Sequence, residues 1–255
     1  MLKRHQRVPV YYFSNIGDFL QFSRIISEEW SAVWYRGHSN GTYMLEPSIM
    51  RKIDILQREK TISREFLRRA SSFFPDLLGD NFPRWLFMMQ HYGLPTRLLD
   101  WTESLAVAMF FAFEKPSVIP PCVWFLNPSA LNVLAIDEPG VPHETTLEAI
   151  NYCKQAFVFE PEPPVSKLPI GVVPHYFNPR LVAQRACFTV HGTNPVPLDY
   201  ALYKMSSSDL RHVLIKAQFE SDTLDSLRSD VAQLLPTTAQ IYPDIEGLVA
   251  ELKSV

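Results

Sequence analysis

Polar and apolar residues divide the centre of the chain into two unlike halves. Residues 91–102 are dense in polar and aromatic side chains, whereas residues 105–113 are almost wholly apolar. A Gly-Leu-Pro turn within the first half cannot continue a helix, so the preceding helix should end near Gln90. The pattern predicts a polar loop that leads into a buried helix, with Thr102 as the helix N-cap.

The charges of this predicted loop, Arg97 and Asp100, would be costly in a core without partners. We therefore expect them to bond to each other or to the backbone. Such a pair beside Trp101 can be a structural bracket, and the same groups at a helix N-terminus can contact an anionic ligand. The pattern leaves both interpretations open.

The N-terminal part predicts a short strand, a capped helix and a second strand over residues 32–37. This second strand ends in Arg36 and Gly37. Glycine lets a ligand approach the backbone closely, and a guanidinium group matches a phosphate or carboxylate. Arg36 is therefore a candidate ligand-binding residue, although it can also pair with a core carboxylate such as Asp100.

Two helices, over about residues 55–72 and 84–90, are predicted between this strand and the central polar stretch. They define a helical insertion at about residues 51–90. Residues 51–69 carry seven Lys or Arg side chains. This basic segment is a candidate phosphate contact, or a solvated helix face whose charges pair with Asp54, Glu59 and Glu65.

The second half of the chain predicts strands that alternate with short helices. Apolar runs predict strands at residues 122–126, 187–190 and 212–217, and residues 171–177 predict a strand or an extended loop. The proline-rich residues 159–169 predict a loop or a segment that crosses the edge of the sheet. Helices are predicted at residues 127–133, 144–152, 181–185, 221–235 and 241–252. The chain is thus expected to be one α+β domain, residues 1–255, with a central mixed or antiparallel sheet.

Composition excludes several classes of protein. The 255 residues have a net charge of −3, which argues against a basic nucleic-acid-binding surface over the whole molecule. Three scattered cysteines suit reduced thiols and a cytoplasmic location. The first ten residues do not read as a signal peptide, and no apolar run approaches ~20 residues, so no membrane partner is expected.

The common catalytic and metal-binding motifs are absent from the sequence. There is no GxGxxG, GxxxxGK[ST], GxSxG or HExxH pattern and no paired CxxC. Cys187 and His191 have a spacing that zinc ligands use, but two ligands without two more do not make a site. No metal is predicted.

Several motifs, in order along the chain, resemble the FRG domain family. Its Phe/Tyr-Arg-Gly motif corresponds to residues 35–37, and its most distinctive signature to QHYGLPTRLLDWT at residues 90–102. LEPSIMR at residues 45–51 and AVAMFFAF at residues 106–113 continue the resemblance. The N-x-R…Q-x-x-x-F element at residues 178–188 and the ending at residues 241–252 complete it.

The order of these motifs is similar to that of ADP-ribosyltransferases, which implies a split central sheet and NAD as substrate. In such folds an Arg-Gly pair at the end of the first core strand holds NAD, and a later acidic residue bonds the ribose. Gln184 stands about where that acid is expected, and glutamine cannot carry its full negative charge. The resemblance thus implies Arg36, His91, Asp100 and Gln184 as catalytic residues, with Asp100 a better substitute acid than Glu220. The implied NAD-binding residues are Tyr35, Arg36, Gly37, Thr96, Arg97, Trp101 and Thr102.

Two functions follow from this resemblance. The first is an NAD-dependent ADP-ribosyltransferase that modifies a nucleic acid or protein, as a component of a bacterial toxin or phage-defence system with a cognate antitoxin or immunity protein. The second is a non-catalytic module that binds an anionic ligand or a partner, which the missing glutamate favours. Both require Arg36 to meet residues 91–102 in space.

Overall fold

The computed structural model describes residues 8–74, 82–156, 168–192, 194–205 and 210–253. Seven strands form one sheet in the order β1-β7-β4-β2-β3-β6-β5. β1 and β7 are parallel and all other neighbours are antiparallel. The prediction of an α+β fold with a mixed sheet is confirmed. The strands are β1 Val10–Phe13, β2 Trp34–His38, β3 Leu98–Thr102, β4 Cys122–Leu126, β5 Ile170–Val172, β6 Ala186–Val190 and β7 Leu214–Phe219.

The helices fill the connections between strands. The first four are α1 Ile16–Glu29, α2 Ile53–Leu56, α3 Glu59–Ala70 and α4 Phe82–His91, with a 3₁₀ turn at Ser48–Arg51. The next four are α5 Leu105–Phe113, α6 Pro128–Ile136, α7 Leu147–Ala156 and α8 Pro179–Ala183. The last four are α9 Leu198–Tyr203, α10 Leu224–Ala232, α11 Thr238–Ile241 and α12 Ile245–Leu252. α2, α3 and α4 lie between β2 and β3, where the sequence predicts a helical insertion, and most of the predicted loop at 159–169 lies outside the described residues.

The prediction of a loop up to Thr102 is wrong, because Leu98–Thr102 is a strand in the middle of the sheet. Every residue of β3 pairs with β6. Leu98 packs in one hydrophobic cluster while Leu99 and Trp101 pack in another, so both faces of the strand are covered. Apolar burial on both faces thus outweighs the polar character of Arg97 and Asp100.

Helix α5 begins two residues later than predicted. Its N-cap is Ser104, whose hydroxyl accepts from the backbone N–H of Val107 at 3.4 Å. Thr102 cannot act as the cap because it belongs to β3, and its hydroxyl accepts instead from the backbone N–H of Ser104 at 3.0 Å. The helix itself is almost wholly apolar and buried, as predicted.

The sheet opens between β2 and β3. Tyr35 and Thr102 are the single cross-strand pair between these two strands, whereas β2 makes five pairs with β4 and β3 makes five with β6. Beyond this pair the strands diverge, with Arg36 at one side of the opening and Asp100 at the other. This gap between β2 and β3 positions the site described below.

Helix α5 packs directly against β2 at Gly37. A Cβ atom on Gly37 would lie 1.8 Å from the backbone oxygen of Ala108 and 2.7 Å from the backbone nitrogen of Ala112. Only glycine therefore permits this approach of helix to strand. The close packing fixes the end of β2, and with it the backbone from which Arg36 projects.

The three cysteines are free and buried, and burial raises the pKa of the Cys122 thiol to about 12. Within the part of the chain that the structure describes, no helix has both the length and the apolar character needed to cross a membrane.

Candidate functional site

Two adjoining cavities open at the gap between β2 and β3. The first has a volume of about 370 Å³ and lies on the Arg36 side, and the second has a volume of about 290 Å³ and lies on the His91 side. Both are lined by Asp100, Arg180 and Gln184. The two cavities thus form one continuous cleft with these three polar side chains at its centre.

Arg36 reaches across the gap toward β3. Its Nη1 atom donates to the backbone carbonyl of Asp100 and lies 3.8 Å from the carboxylate oxygen Oδ2 of the same residue. Its Nε atom donates to Nε2 of His38 at 2.9 Å. The guanidinium group is therefore fixed on two sides, and 22% of the side chain remains exposed to the cleft.

The histidine that holds Arg36 is neutral. Burial, followed by the charge of Arg36, lowers the pKa of His38 to about 3. A neutral imidazole can accept the hydrogen bond that the Arg36 Nε–H donates. The positive charge at the gap therefore belongs to Arg36, and His38 orients it.

The Asp100 carboxylate is held from the opposite side by a short chain of hydrogen bonds. Gln90, near the end of α4, donates from Nε2 to Oδ1 of Asp100 at 2.8 Å. The hydroxyl of Thr96 donates in turn to Oε1 of Gln90. The Asp100 side chain is 59% exposed. It is thus positioned by Gln90 and still open to the cleft.

Gln184 approaches Asp100 from the segment between α8 and β6. Its Nε2 atom donates to the backbone oxygen of Ile241 at 3.3 Å, and its own backbone oxygen accepts from the Thr102 hydroxyl at 2.6 Å. The predicted Thr102 therefore acts on the site indirectly, because it fastens the backbone of Gln184 to β3.

His91 and Arg180 complete the second cavity. Burial, and then the nearby charge of Arg180, lowers the pKa of His91. Arg180 stacks over the ring of Tyr242, with its guanidinium carbon 4.6 Å from the ring centroid. The cavity thus contains a cation and an imidazole that favours its neutral form, beside the Asp100 carboxylate.

The structure brings together eight of the residues implied by the family resemblance, and not all of them offer a free polar group. Tyr35 and Trp101 are buried, with the Tyr35 hydroxyl 3.1 Å from that of Ser27 and the Trp101 Nε1 donating to Thr189 at 3.1 Å. Gly37 lines the first cavity, and its lack of a side chain is required by the packing of α5. The eight residues that line the cleft are Tyr35, Arg36, Gly37, His91, Asp100, Trp101, Thr102 and Gln184.

Arg97 and Thr96 lie outside the cleft. Of the two kinds of partner expected for Arg97, Asp100 or the backbone, the structure shows the backbone: Nη1 of Arg97 donates to the backbone oxygen of Gly192. Its charge is paired with Glu59 of α3, which the sequence did not predict, with Nη2 of Arg97 2.7 Å from Oε2 of Glu59. Arg97 is 8% exposed and Thr96 is 1% exposed. A buried, paired guanidinium is not available to hold a pyrophosphate, because the carboxylate of Glu59 already occupies it. Arg97 instead links the helical insertion to the sheet.

The basic segment at residues 51–69 is divided between several environments. Arg51 lines the first cavity of the cleft. Arg68 and Arg69 both pair with Glu65, at 2.8 Å and 3.0 Å, on the exposed face of α3. The local pairing that the sequence offered is therefore present for these two arginines, and Arg51 adds positive charge to the cleft.

Cys187 lies in β6, and His191 directly follows the last residue of that strand. Cys187 packs in the core with Trp101, and His191 is 1% exposed. Burial, followed by the charges of Arg97 and Arg36, lowers the pKa of His191 to about 3. Among the described residues, no three His, Cys, Asp or Glu side chains are grouped so that they could hold a metal ion.

Three important residues of the cleft were not identified from the sequence. Gln90 and His38 position Asp100 and Arg36, and Arg180 lines both cavities. Arg180 belongs to an Asn-Pro-Arg motif that marks a helix start, and this motif was the available signal. Gln90 is the first residue of the FRG signature at residues 90–102, which is the signal for it. His38 has no such signal, because its role depends on which strands become neighbours.

Comparison with known proteins finds a family model that matches part of the chain. Residues 31–118 match the model of the FRG domain family. The chain thus contains an FRG domain, and the matched segment runs from β2 through α5 and includes Arg36 and Asp100. Neither the curated proteins nor the solved structures include a significant match to this chain.

Proposed function

We propose that the cleft binds NAD and transfers its ADP-ribose group to a nucleic acid or protein acceptor. The observation that carries the proposal is the meeting of Arg36 and Asp100 across the gap between β2 and β3, where a fixed cation and a half-exposed carboxylate face the same cavity. Cleavage of the nicotinamide–ribose bond needs both features: a clamp for the pyrophosphate and negative charge near the sugar.

Positive side chains in the first cavity suit the pyrophosphate of NAD. Arg36, Arg51 and Arg180 all line this cavity. A guanidinium group donates two parallel hydrogen bonds to phosphate oxygens, which gives orientation as well as charge. Arg36 is the best placed of the three because His38 and the Asp100 carbonyl already fix its direction.

Asp100 is the group that can stabilise the transition state. When the C1′–N1 bond of NAD breaks, the bonding electron pair leaves with nicotinamide and the ribose acquires oxocarbenium character. A carboxylate nearby stabilises this positive charge. Gln184 supplies amide hydrogen bonds for a ribose hydroxyl, and its neutral side chain leaves the negative charge of the cleft to Asp100.

The second half of the reaction forms a bond between C1′ and an acceptor nucleophile, which loses a proton. His91 lines the same cavity as Asp100 and Gln184. Because its pKa is lowered, its imidazole is largely neutral at pH 7 and can take this proton.

A role in a bacterial toxin or phage-defence system, with an antitoxin or immunity protein as partner, is part of the same proposal.

A non-catalytic binding module is the second candidate function. Gln184 cannot act as an acid or base, and Asp100 already accepts a hydrogen bond from Gln90. With these constraints the cleft would bind an anionic ligand through Arg36 and Arg180 and release it unchanged. This candidate shares the first binding step with the transferase and differs in turnover.

The test measures NAD binding and transfer separately. Binding of NAD to the purified chain is measured by isothermal titration calorimetry, and transfer by incubating adenylate-labelled NAD with a cell lysate. Arg36→Ala should weaken NAD binding about 10- to 150-fold, the range for loss of charge-assisted hydrogen bonds. It should also abolish labelling. Arg24→Ala is the matched control, because Arg24 lies on α1 and is 79% exposed.

Each outcome separates the candidates. Labelling that depends on Arg36 and not on Arg24 supports the transferase, and nuclease or protease treatment of the product identifies the acceptor class. NAD binding without labelling or nicotinamide release supports the binding module. A folded wild-type chain that does not bind NAD contradicts the proposal.

A further inference from the structure

A third cavity, of about 590 Å³, adjoins the first one on the same face of the sheet. We call it the tyrosine pocket, and its lining residues include Tyr43, Trp124, Asp199, Tyr200, Tyr203 and Lys216. Tyr43 and the neighbouring Met44 line both this pocket and the first cavity of the cleft. A ligand in the tyrosine pocket would therefore lie next to a ligand held by Arg36.

The sheet register sets the distance between the two sites. Arg36 of β2 pairs with Trp124 of β4, and Trp124 pairs with Lys216 of β7. Directly paired residues of antiparallel strands project to the same face, so the three side chains form one row. Two strand spacings separate Arg36 from Lys216, which is about 10 Å.

The tyrosine pocket offers flat aromatic surface to solvent. Tyr43 is 54% exposed and Tyr200 is 44% exposed. The ammonium group of Lys204 lies 5.0 Å from the centre of the Tyr200 ring, and that of Lys216 lies 5.5 Å from the centre of the Trp124 ring. Exposed aromatic rings beside cations are the features with which proteins stack the bases of single-stranded nucleic acid.

The polar groups of the pocket suit the edge of a base. Trp124 is 4% exposed, and its indole Nε1 has no hydrogen-bond partner in the part of the chain that the structure describes. The Asp199 carboxylate accepts from the backbone N–H of Leu45 at 3.1 Å and also from backbone N–H groups at the start of α9. The pocket therefore has a carboxylate beside its stacking surface, whereas the indole N–H of Trp124 is buried.

The charge of the surface also favours a polyanion. The residues that line the first cavity and the tyrosine pocket include five cations and three carboxylates, although the whole chain has a net charge of −3. The cations are Arg36, Arg51, Lys115, Arg180 and Lys216, and the carboxylates are Asp100, Glu114 and Asp199. Positive charge is thus concentrated on the side of the molecule that carries the cleft.

We infer that the tyrosine pocket binds a base of a single-stranded nucleic acid, which is the acceptor of the transfer reaction. The role of the nucleic acid as acceptor rests on the proposed transferase function. Binding of the nucleic acid can be tested without NAD. A base stacked on Tyr43 or Tyr200 would place the adjacent part of the strand beside Arg36 and Asp100. A peptide acceptor would leave the exposed rings without their stacking role.

The test uses fluorescein-labelled single-stranded DNA and RNA of 12 nucleotides and mixed sequence, with the full chain, in a fluorescence anisotropy titration. Tyr200→Ala and Tyr43→Ala should each weaken binding by about 5- to 150-fold, the range for loss of one base–aromatic stack. Tyr200→Phe should retain binding because the ring remains. Tyr176→Ala is the matched control, since Tyr176 is 46% exposed and lines neither cavity.

The possible results are distinct. If neither oligonucleotide binds to folded wild-type protein at low salt, or if Tyr200→Ala and Tyr43→Ala bind as Tyr176→Ala does, the inference is overturned. If the labelled product from NAD is sensitive to protease and not to nuclease, the acceptor is a protein and the inference is again overturned, while the proposed transfer stands. If oligonucleotides bind through the tyrosines but calorimetry shows no NAD binding, the proposed function fails and the nucleic-acid site remains.

Discussion

The Nη1 atom of Arg36 lies 3.8 Å from the Oδ2 atom of Asp100, across a gap between two neighbouring strands of the sheet. The Asp100 side chain is 59% exposed. An ion pair this open stabilises a fold by about 0–1 kcal/mol, because water screens its charges. The buried pair of Arg97 and Glu59, at 2.7 Å, is the structural counterpart. The contrast supports a ligand-binding role for Arg36 and Asp100.

The first prediction concerns Asp100→Asn. This change keeps the shape of the side chain and an oxygen that can accept from Gln90, and it removes the negative charge. We expect nicotinamide release to fall about 100-fold or more, because preorganised charge of this kind is worth 10²–10³ in rate. NAD affinity should change less than about threefold, since the phosphates are held by arginines. Calorimetry and a nicotinamide-release assay measure the two effects.

Asp225→Asn is the control for this change, because Asp225 is fully exposed on α10. Nicotinamide release by Asp100→Asn at the wild-type rate would show that another group carries the charge. Loss of NAD binding together with turnover would show that Asp100 acts in binding alone.

The second prediction concerns Gly37→Ala. A Cβ atom at this position would meet the backbone of α5 at 1.8 Å, and backbone cannot move aside as a side chain can. We expect a loss of about 3 kcal/mol or more in the free energy of unfolding, the range for overpacking at a rigid contact. Urea denaturation followed by circular dichroism measures it. Gly140→Ala, with no atom within 4 Å of its Cβ, should change stability by less than about 0.5 kcal/mol.

The elements that the sequence predicts well are those whose signals are local. The strand Cys122–Leu126 matches its prediction at both ends, because an apolar run lies between a Pro-Pro and an Asn-Pro pair. Helix α5 was found for the same reason, since its apolar residues are continuous. The FRG resemblance at residues 35–37 and 90–102 also depends only on local motifs, and the family match over residues 31–118 bears it out.

The features that the sequence predicts poorly depend on distant neighbours. Strand β3 was missed because its stability comes from pairing with β6, whose residues lie about 88 positions away. The ion pair of Arg97 with Glu59 is not predicted, because Glu59 lies in the helical insertion, 38 residues earlier. The likeness to ADP-ribosyltransferases stays a prediction.

The third prediction concerns the buried pair of Glu59 and Arg97. Glu59→Gln leaves a buried guanidinium without its charge partner, which destabilises a fold by about 3–5 kcal/mol. The double change Glu59→Leu and Arg97→Met should recover most of this loss, because apolar groups of similar volume need no partner. Denaturant unfolding of both variants gives the comparison.

Glu65→Gln is the matched control on the same helix, since its pairs with Arg68 and Arg69 are exposed and it should change stability little. If Glu59→Gln is no less stable than Glu65→Gln, the pair does not hold the insertion to the sheet. If Arg97→Met with Glu59→Leu folds but does not bind NAD, Arg97 belongs to the binding site after all.

The fourth prediction concerns stability at low pH. Burial lowers the pKa of His191 to about 3, whereas an unfolded histidine has a pKa of about 6.5. Between these values the unfolded chain binds a proton that the folded chain does not, so the free energy of unfolding falls as the pH falls.

One such histidine lowers the free energy of unfolding by about 1.4 kcal/mol for each pH unit between its two pKa values. His38, whose pKa is also lowered to about 3, contributes a similar decrease. Because glutamine does not titrate, His191→Gln should remove the contribution of His191 to the change in the free energy of unfolding with pH. Urea unfolding at pH 7, 6, 5 and 4 measures the slope for both proteins. Equal slopes would mean that His191 gains access to water or a partner before the chain unfolds, and the acid sensitivity would then belong to other groups, with His38 and His91 among them.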